Sequence, residues 1–272
     1  MTPTTTVILP VGIEKNGSLY KEVQISEMNG FDEENMSSRA VKNNGAKAQT
    51  MLLRRCIQAI TGLVGQKSSP NILIDEEIIR SMTSYDRDFL FFNIRMLGGN
   101  SDIEFAVACN YCGASTDESM TIEDLDVYEW PENEKQTIDI ELLRGLTING
   151  KQHNEFKWRF LTGKDQERLA RLDQNRLVGA SLAYGCCGFN TDDDDVYNPT
   201  EDDFRRLTSE TRLDAMTQIA ENAPGIQNVI QVECSGCERK IEHAIDVSLF
   251  FARKEKQNRS ARKTMRVKRV KR

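Results

Sequence analysis

The sequence predicts an α+β protein: a helical body with small antiparallel β-ribbons that carry two Cys-x-x-Cys zinc knuckles. Three observations carry this. Apolar residues recur at helical spacing through residues 46–97 and 164–220, the period changes to two around Ile103–Val107, Phe156–Phe160 and Ile230–Val232, and two of the alternating stretches run into Cys109-Asn110-Tyr111-Cys112 and Cys234-Ser235-Gly236-Cys237. The composition of the 272 residues, 39% apolar and 29% charged, is that of a globular chain and excludes collagen-like and wholly disordered classes. The longest apolar stretch, Asp88 to Leu97, is interrupted by Asn93 and Arg95 and falls short of the roughly 20 residues of a bilayer span. The N-terminus lacks the basic start and apolar run of a secretory signal, so residence in a reducing cytoplasm is the expectation.

In chain order, Val7–Pro10 and Glu22–Ile25 read as strands of a hairpin around Asn16-Gly17. Ala46–Val64 places Met51, Leu52, Cys56, Ile57, Ile60, Leu63 and Val64 at helical spacing, which predicts one amphipathic helix. Shorter helices follow at Glu76–Met82 and Asp86–Leu97, the second capped by Thr83 or Ser84 and stopped by Gly98-Gly99. Ile103, Phe105 and Val107 form a strand that enters the first Cys turn, and Ser115–Ile122 returns from it. Glu123–Gln136 is an acidic loop broken by Pro131, and Asn149-Gly150 joins two further strands marked by Ile138, Ile140 and by Phe156, Trp158, Phe160. A helix is expected from Lys164 through Val178 and on to Cys187, and another over Phe204–Ala220, entered through a Thr200/Asp203 cap and ended by Pro224-Gly225. About six helices are expected in all.

These signals divide the chain into an N-terminal β/loop segment (1–45), a helical region (46–100), a first knuckle ribbon (101–125), an inserted α/β region (126–225), a second knuckle ribbon (226–252) and a basic tail (253–272). Charge is unevenly spread. The tail carries eleven Lys or Arg against Glu255, a net +10, so the body carries −16 although the whole chain is only −6. The tail is therefore the element expected to touch an acidic protein surface or nucleic acid. It lacks the interleaved aromatics that stack bases.

The cysteines hold the sharpest information. IEFAVACNYCG and VIQVECSGCER share one layout, an alternating strand followed by a Cys-x-x-Cys turn, and each is followed by a return strand. Two such knuckles present four thiolates to one tetrahedral zinc, so Cys109, Cys112, Cys234 and Cys237 are the expected ligands. A closed four-sulfur shell leaves no open coordination position, and such a zinc is structural. The gap between the pairs, Gly113 to Glu233, is 121 residues, far longer than in a compact zinc ribbon. Two unrelated turns, or two separate reactive dithiols, remain the alternatives. Cys56, Cys186 and Cys187 read as buried small apolar residues, and His153 and His243 as packing residues, with His243 placed to serve as a substitute ligand or a donor beside the metal. Asp192–Asp195 lacks the alternation and central Gly of a calcium loop and reads as a solvated loop.

No nucleophile elbow, phosphate-cradling loop or His-Glu-x-x-His is present, so no catalytic residue is assigned and a non-enzyme is expected. Leu9-Pro10-x-Gly12, the stretch VQISEMNGFDEENM from Val23 to Met36, Tyr85-Asp86-Arg87-Asp88-Phe89-Leu90, Ile94 to Gly99, the first knuckle, Phe160-Leu161-Thr162-Gly163-Lys164-Asp165, and the second knuckle closing with Leu249-Phe250-Phe251 occur in this order. The series resembles the baseplate hub proteins of T-even-type phages over most of residues 7–252. That resemblance implies a non-enzymatic virion morphogenesis protein. It would dock with other baseplate and tail-hub proteins in the host cytoplasm and either stay in the tail baseplate or leave as an assembly factor. The alternative reading of the same residues is a zinc-ribbon regulator that binds nucleic acid through the tail.

Overall fold

The computed structural model describes residues 4–36, 44–62, 72–99, 102–148, 150–190, 196–227 and 229–244. The acidic run Asp192–Asp195, Leu249–Phe251 and the basic tail 253–272 lie outside them. Eight helices and thirteen strands, in one three-stranded and five two-stranded sheets, make up the described residues, an α+β architecture. Among these residues no helix is long and apolar enough to cross a membrane.

The chain opens with β1 (Thr4–Lys15) and β2 (Ser18–Ser26), an antiparallel hairpin whose two-residue turn, Asn16-Gly17, has positive φ at both positions. That pair of left-handed residues matches the twist of the flanking strands. The register shifts between Ile8 and Ile13, and the intervening Leu9, Val11 and Ile13 are all buried. After α1 (Gly30–Met36), α2 (Gly45–Cys56) is shorter than its spacing predicts, for the chain turns at Cys56 into β3 (Ile57–Thr61), which pairs with β2. Ile57 and Ile60, three residues apart, imitate a helical stripe. A bulge at Gln58 puts both on the same buried face of the strand, packed with Val23 and Ile25. Leu63 and Val64 lie outside the described residues.

Helices α3 (Glu76–Ser81) and α4 (Ser84–Leu97) match their predicted extents, capped by the side chains of Asp75 and Thr83. Their apolar faces join the three-stranded sheet in a first core that includes Leu9, Val23, Ile25, Leu52, Leu53, Ile79, Leu90, Phe92 and Ile94. Strands β4 (Asp102–Ala108) and β5 (Ser115–Thr121) form the first ribbon in unbroken register, and the loop beyond includes the short β6 (Val127–Tyr128). The long hairpin of β7 (Thr137–Ile148) and β8 (Lys151–Arg159) carries the second core, in which Ile140, Phe156 and Trp158 pack against helices from the following segment.

Two of those helices are interrupted where continuous ones are predicted. α5 (Gly163–Leu169) closes with i→i+3 bonds from Arg171 N–H to Arg168 O (3.2 Å) and Leu172 N–H to Leu169 O (2.9 Å), a tightening that ends the helix. Asp173 then takes an extended backbone and starts α6 (Gln174–Gly185). Cys186 and Cys187 follow in extended backbone rather than helix, with Cys186 bridged to Trp158 on β8. Cys186 is buried, but Cys187 is exposed and not the buried small residue expected. The short strands β9 (Phe189–Asn190) and β10 (Val196–Tyr197) pair with each other. The Thr200/Asp203 capping box forms and opens α7 (Glu201–Arg205), and a second cap, Thr208, opens α8 (Ser209–Glu221) after a break at 206–208. Finally β11 (Gly225–Ile226) pairs with β6, and β12 (Val229–Glu233) pairs with β13 (Lys240–Ala244) as the second ribbon.

A buried polar knot sets helices and sheet in place. Arg87, fully buried, donates to Gln166 Oε1 (2.8 Å), Ile79 O (3.0 Å), Ala46 O (2.9 Å) and Thr50 Oγ1 (3.0 Å), joining α2, α3 and α5 around α4. Asp86 accepts from the backbone N–H groups of Val11 (2.9 Å) and Gly12 (3.1 Å) and from Thr83 Oγ1 (2.9 Å), holding the irregular part of β1 on the start of α4. Glu167 closes the knot through Thr50 Oγ1 (2.8 Å) and Arg80 (3.2 Å). A methyl at Gly163 would lie 2.5 Å from the Arg87 guanidinium, so that glycine makes room for the cation.

Replacing Arg87 by Met leaves several buried acceptors without donors and should lower unfolding free energy by about 3 kcal/mol or more. Urea titration measures it, and a loss below about 1 kcal/mol would contradict the role given to the knot. Asp86 adds a signature in pH. Burial pushes its carboxyl up to about 6 against the lowering effect of Val11 N–H, the Thr83 hydroxyl, Gly12 N–H and Lys21. The folded protein therefore holds this proton more tightly than the unfolded chain, so the stability it contributes is full below about pH 4 and lost as pH rises through about 6. The stability of the parent relative to Asp86→Asn should increase as pH is lowered from about 7 to about 4, measured by paired urea titrations.

Candidate metal centre

Each Cys turn is built in the same way. In the first, Cys109 N–H donates to Ala114 O (2.8 Å) and Gly113 N–H to Cys109 O (2.9 Å). In the second, Cys234 N–H donates to Arg239 O (2.9 Å) and Glu238 N–H to Cys234 O (2.9 Å). The residue four beyond the first cysteine is left-handed in both, Gly113 with φ 75° and Glu238 with φ 58°. Within each turn a backbone N–H two residues on points at the first sulfur: Tyr111 to Cys109 Sγ (3.4 Å) and Gly236 to Cys234 Sγ (3.3 Å). Such contacts stabilise thiolate, the form that binds metal.

The two turns meet. The four Sγ atoms lie within 4.8 Å of one another, with Cys109 to Cys237 at 3.7 Å and Cys112 to Cys234 at 3.6 Å. A tetrahedral ion with Zn–S bonds of about 2.3 Å separates its sulfurs by about 3.8 Å, close to these two contacts. The turns are also locked by Thr116, whose hydroxyl lies 3.2 Å from Ser235 Oγ and accepts from Ser235 N–H at 3.0 Å. A Cβ on Gly236 would lie 2.8 Å from the Ala114 methyl and 3.3 Å from Cys112 Sγ, so the close approach of the turns requires glycine there. Val107, Val232 and Ile241 are buried with Cys109 and Cys234 beneath the sulfurs, while Cys112 is exposed and Cys237 half-buried.

The charges alternate across the cluster. The N–H groups of Gly236 and Cys237 pull Cys234 down to about 6, and those of Cys112 and Tyr111 lower Cys109. At Cys112 the Ala114 N–H acts downward, but the Cys234 contact and burial outweigh it and push the thiol up to about 12; Cys237 is also raised. The two sulfurs of each close contact are thus shifted in opposite directions.

The remaining expected candidates sit elsewhere. His243 stacks on Phe105, ring centroids 5.4 Å apart, and His153 packs at 4.6 Å from Phe189. Cys56 is buried in the first core. Among the described residues the four cysteines form the one group of three or more His, Cys, Asp or Glu with ligand atoms gathered as for a metal. Sequence reasoning did not find Thr116, Ser235 or Gly236 as the parts that fit the turns together. The signal was a small residue at the third position of CSGC, beside a threonine on the opposite return strand.

Fold and site together define an α+β protein in which two distant β-ribbons are gathered at a four-thiol cluster. The chain belongs to the family described as T4 bacteriophage base plate protein, whose profile matches residues 21–252 and so includes both cysteine pairs and Arg87 with its acceptors. It is a phage baseplate protein. No curated protein and no solved structure matches it.

The left-handed positions give a paired test. Gly113→Val should cost about 1–2 kcal/mol, because a β-branched residue resists positive φ, whereas Glu238→Gly should raise stability by a few tenths of a kcal/mol or leave it unchanged. Urea unfolding of both variants measures the contrast, and equal losses would contradict the shared turn geometry.

Proposed function

We propose that this baseplate protein works by docking to other baseplate and tail-hub proteins, without catalysis, and that one structural zinc on Cys109, Cys112, Cys234 and Cys237 fixes its two ribbons as one docking unit. The observation that carries the reading is the convergence of four sulfurs from two ribbons at zinc-like spacing, across a 121-residue gap. The donor set fits the ion: all-sulfur ligation suits zinc, the backbone N–H groups favour thiolates, and the buried Val107, Val232 and Ile241 exclude water from below. A closed shell of this kind supplies no activated water, which supports a mechanical rather than a hydrolytic role.

The ion would replace a core the ribbons lack. Two-stranded ribbons are marginal alone, and among the described residues the cluster around the turns contains five buried apolar residues. Family membership supports the tail baseplate as the place of action, and on this reading assembly takes place in the host cytoplasm. The protein is either retained in the particle or released as an assembly factor.

Native mass spectrometry of the full chain, purified with reductant and without chelator, should show one zinc per chain, and Cys109→Ser/Cys112→Ser should remove it. Gly236→Val, which alters no ligand, should lower zinc affinity at least about tenfold because a branched side chain holds the turns apart. Particle assembly should fail with the double serine variant. Normal assembly without zinc would refute the mechanical role, and nucleic acid retained in the spectrum and lost on truncation after Ala252 would replace docking by regulation.

A further inference from the structure

We propose that the four cysteines are also a disulfide-forming site, and that when zinc is withdrawn they oxidise across the ribbons, as Cys109–Cys237 and Cys112–Cys234, rather than within each Cys-x-x-Cys turn. The inference uses the same cluster as the zinc reading but rests on the spacing and exposure of the sulfurs, not on the ion.

The geometry favours this pairing. Within a group whose four sulfurs all lie within 4.8 Å of one another, the two sulfur contacts aligned as hydrogen bonds, 3.7 Å and 3.6 Å, both run between turns, joining residues 128 and 122 positions apart. Each contact also couples an accessible sulfur to a covered one: Cys112 is exposed and Cys234 buried, Cys237 is half-buried and Cys109 buried. That asymmetry gives each pair an entry point and a resolving partner. The Thr116–Ser235 hydrogen bonds are a second contact between the turns besides the sulfurs, and they favour the same face-to-face approach once the metal is gone.

The chemistry balances with a low-molecular-weight disulfide such as oxidised glutathione as oxidant. Cys112, the exposed sulfur, gives its proton to solvent and attacks one sulfur of that disulfide, forming a mixed disulfide and releasing one glutathione thiolate. Cys234 attacks the Cys112 sulfur, the mixed disulfide breaks, and the second glutathione leaves as thiolate. The two cysteines are oxidised by two electrons and one glutathione disulfide is reduced, its two thiolates taking up protons from solvent. Cys237 and Cys109 repeat the step. The product ties the same two turns that zinc tied, so the link between ribbons survives passage from a reducing to an oxidising medium.

Trypsin provides a direct readout, because Cys109 and Cys112 share the peptide 96–135 while Cys234 and Cys237 share 213–239. The full chain is assayed for zinc, stripped with a chelator under reductant, freed of both reagents, treated with oxidised glutathione and digested without reduction. The expected product is a single species joining the two peptides, four hydrogens lighter than their sum. In Cys109→Ser/Cys237→Ser the crosslink should persist through Cys112 and Cys234. Separate peptides, each two hydrogens lighter, would show pairing within the turns and overturn the inference, as would unoxidised or glutathione-capped peptides. Crosslinking in a chain that arrives without zinc would uphold this inference while refuting the zinc reading. Zinc present with no crosslink would do the reverse.

Discussion

Four sulfur atoms must meet across 121 residues of intervening chain, and the arrangement of the second half of the molecule answers to that requirement. The segment leaving the first ribbon has to travel through the β7–β8 hairpin and four helices and still return beside β4 and β5. It does so through β11, which pairs with β6, and Gln227, whose N–H reaches Asp126 O at 2.8 Å just before the second ribbon begins. Phe105 and Ile230, one from each ribbon, pack on both the first core and the small core under the sulfurs. The cluster thus sits at the seam between ribbons and body. For so long a loop, a crosslink removes on the order of 4–5 kcal/mol of unfolded-chain entropy, comparable to the net stability of many domains.

The body meets its own constraint with buried polar chemistry instead. Arg87 occupies a position on α4 where Leu90, Phe91 and Ile94 are its helical neighbours, and all are buried. A cation there survives because four acceptors from three other elements surround it. Asp86, one residue earlier, performs the matching task for β1, supplying acceptors to backbone N–H groups that the irregular register leaves unpaired by β2. Apolar packing gives helices and sheet their contact, and these polar groups fix which residues of each element come together.

Much of this was legible in the residues. Alternation leading into Cys-x-x-Cys marked both ribbons, Asn16-Gly17 marked the first hairpin, and Thr83 and Thr200 marked the helix starts they cap. The errors have physical causes. A bulge at Gln58 let a strand copy helical spacing, and Asp173 and Thr208 restarted helices that pure periodicity runs together. The long-range partners were hidden for a different reason: Arg87 on an apolar helix face is a visible anomaly, but nothing in sequence order tells that Ala46, Thr50 and Gln166 will surround it. The fit of Gly236 against Ala114 is equally a property of two turns brought together and of neither alone.

One ion held by four sulfurs is proposed to join the ribbons. X-ray absorption at the zinc edge of the full-length protein tests it most directly, since the fine structure counts ligands by type and distance. The account predicts a single shell of four sulfurs at about 2.3 Å, with no nitrogen or oxygen ligand. A mixed shell containing nitrogen or oxygen at about 2.0–2.1 Å, or a purified chain with no zinc to measure, would contradict it.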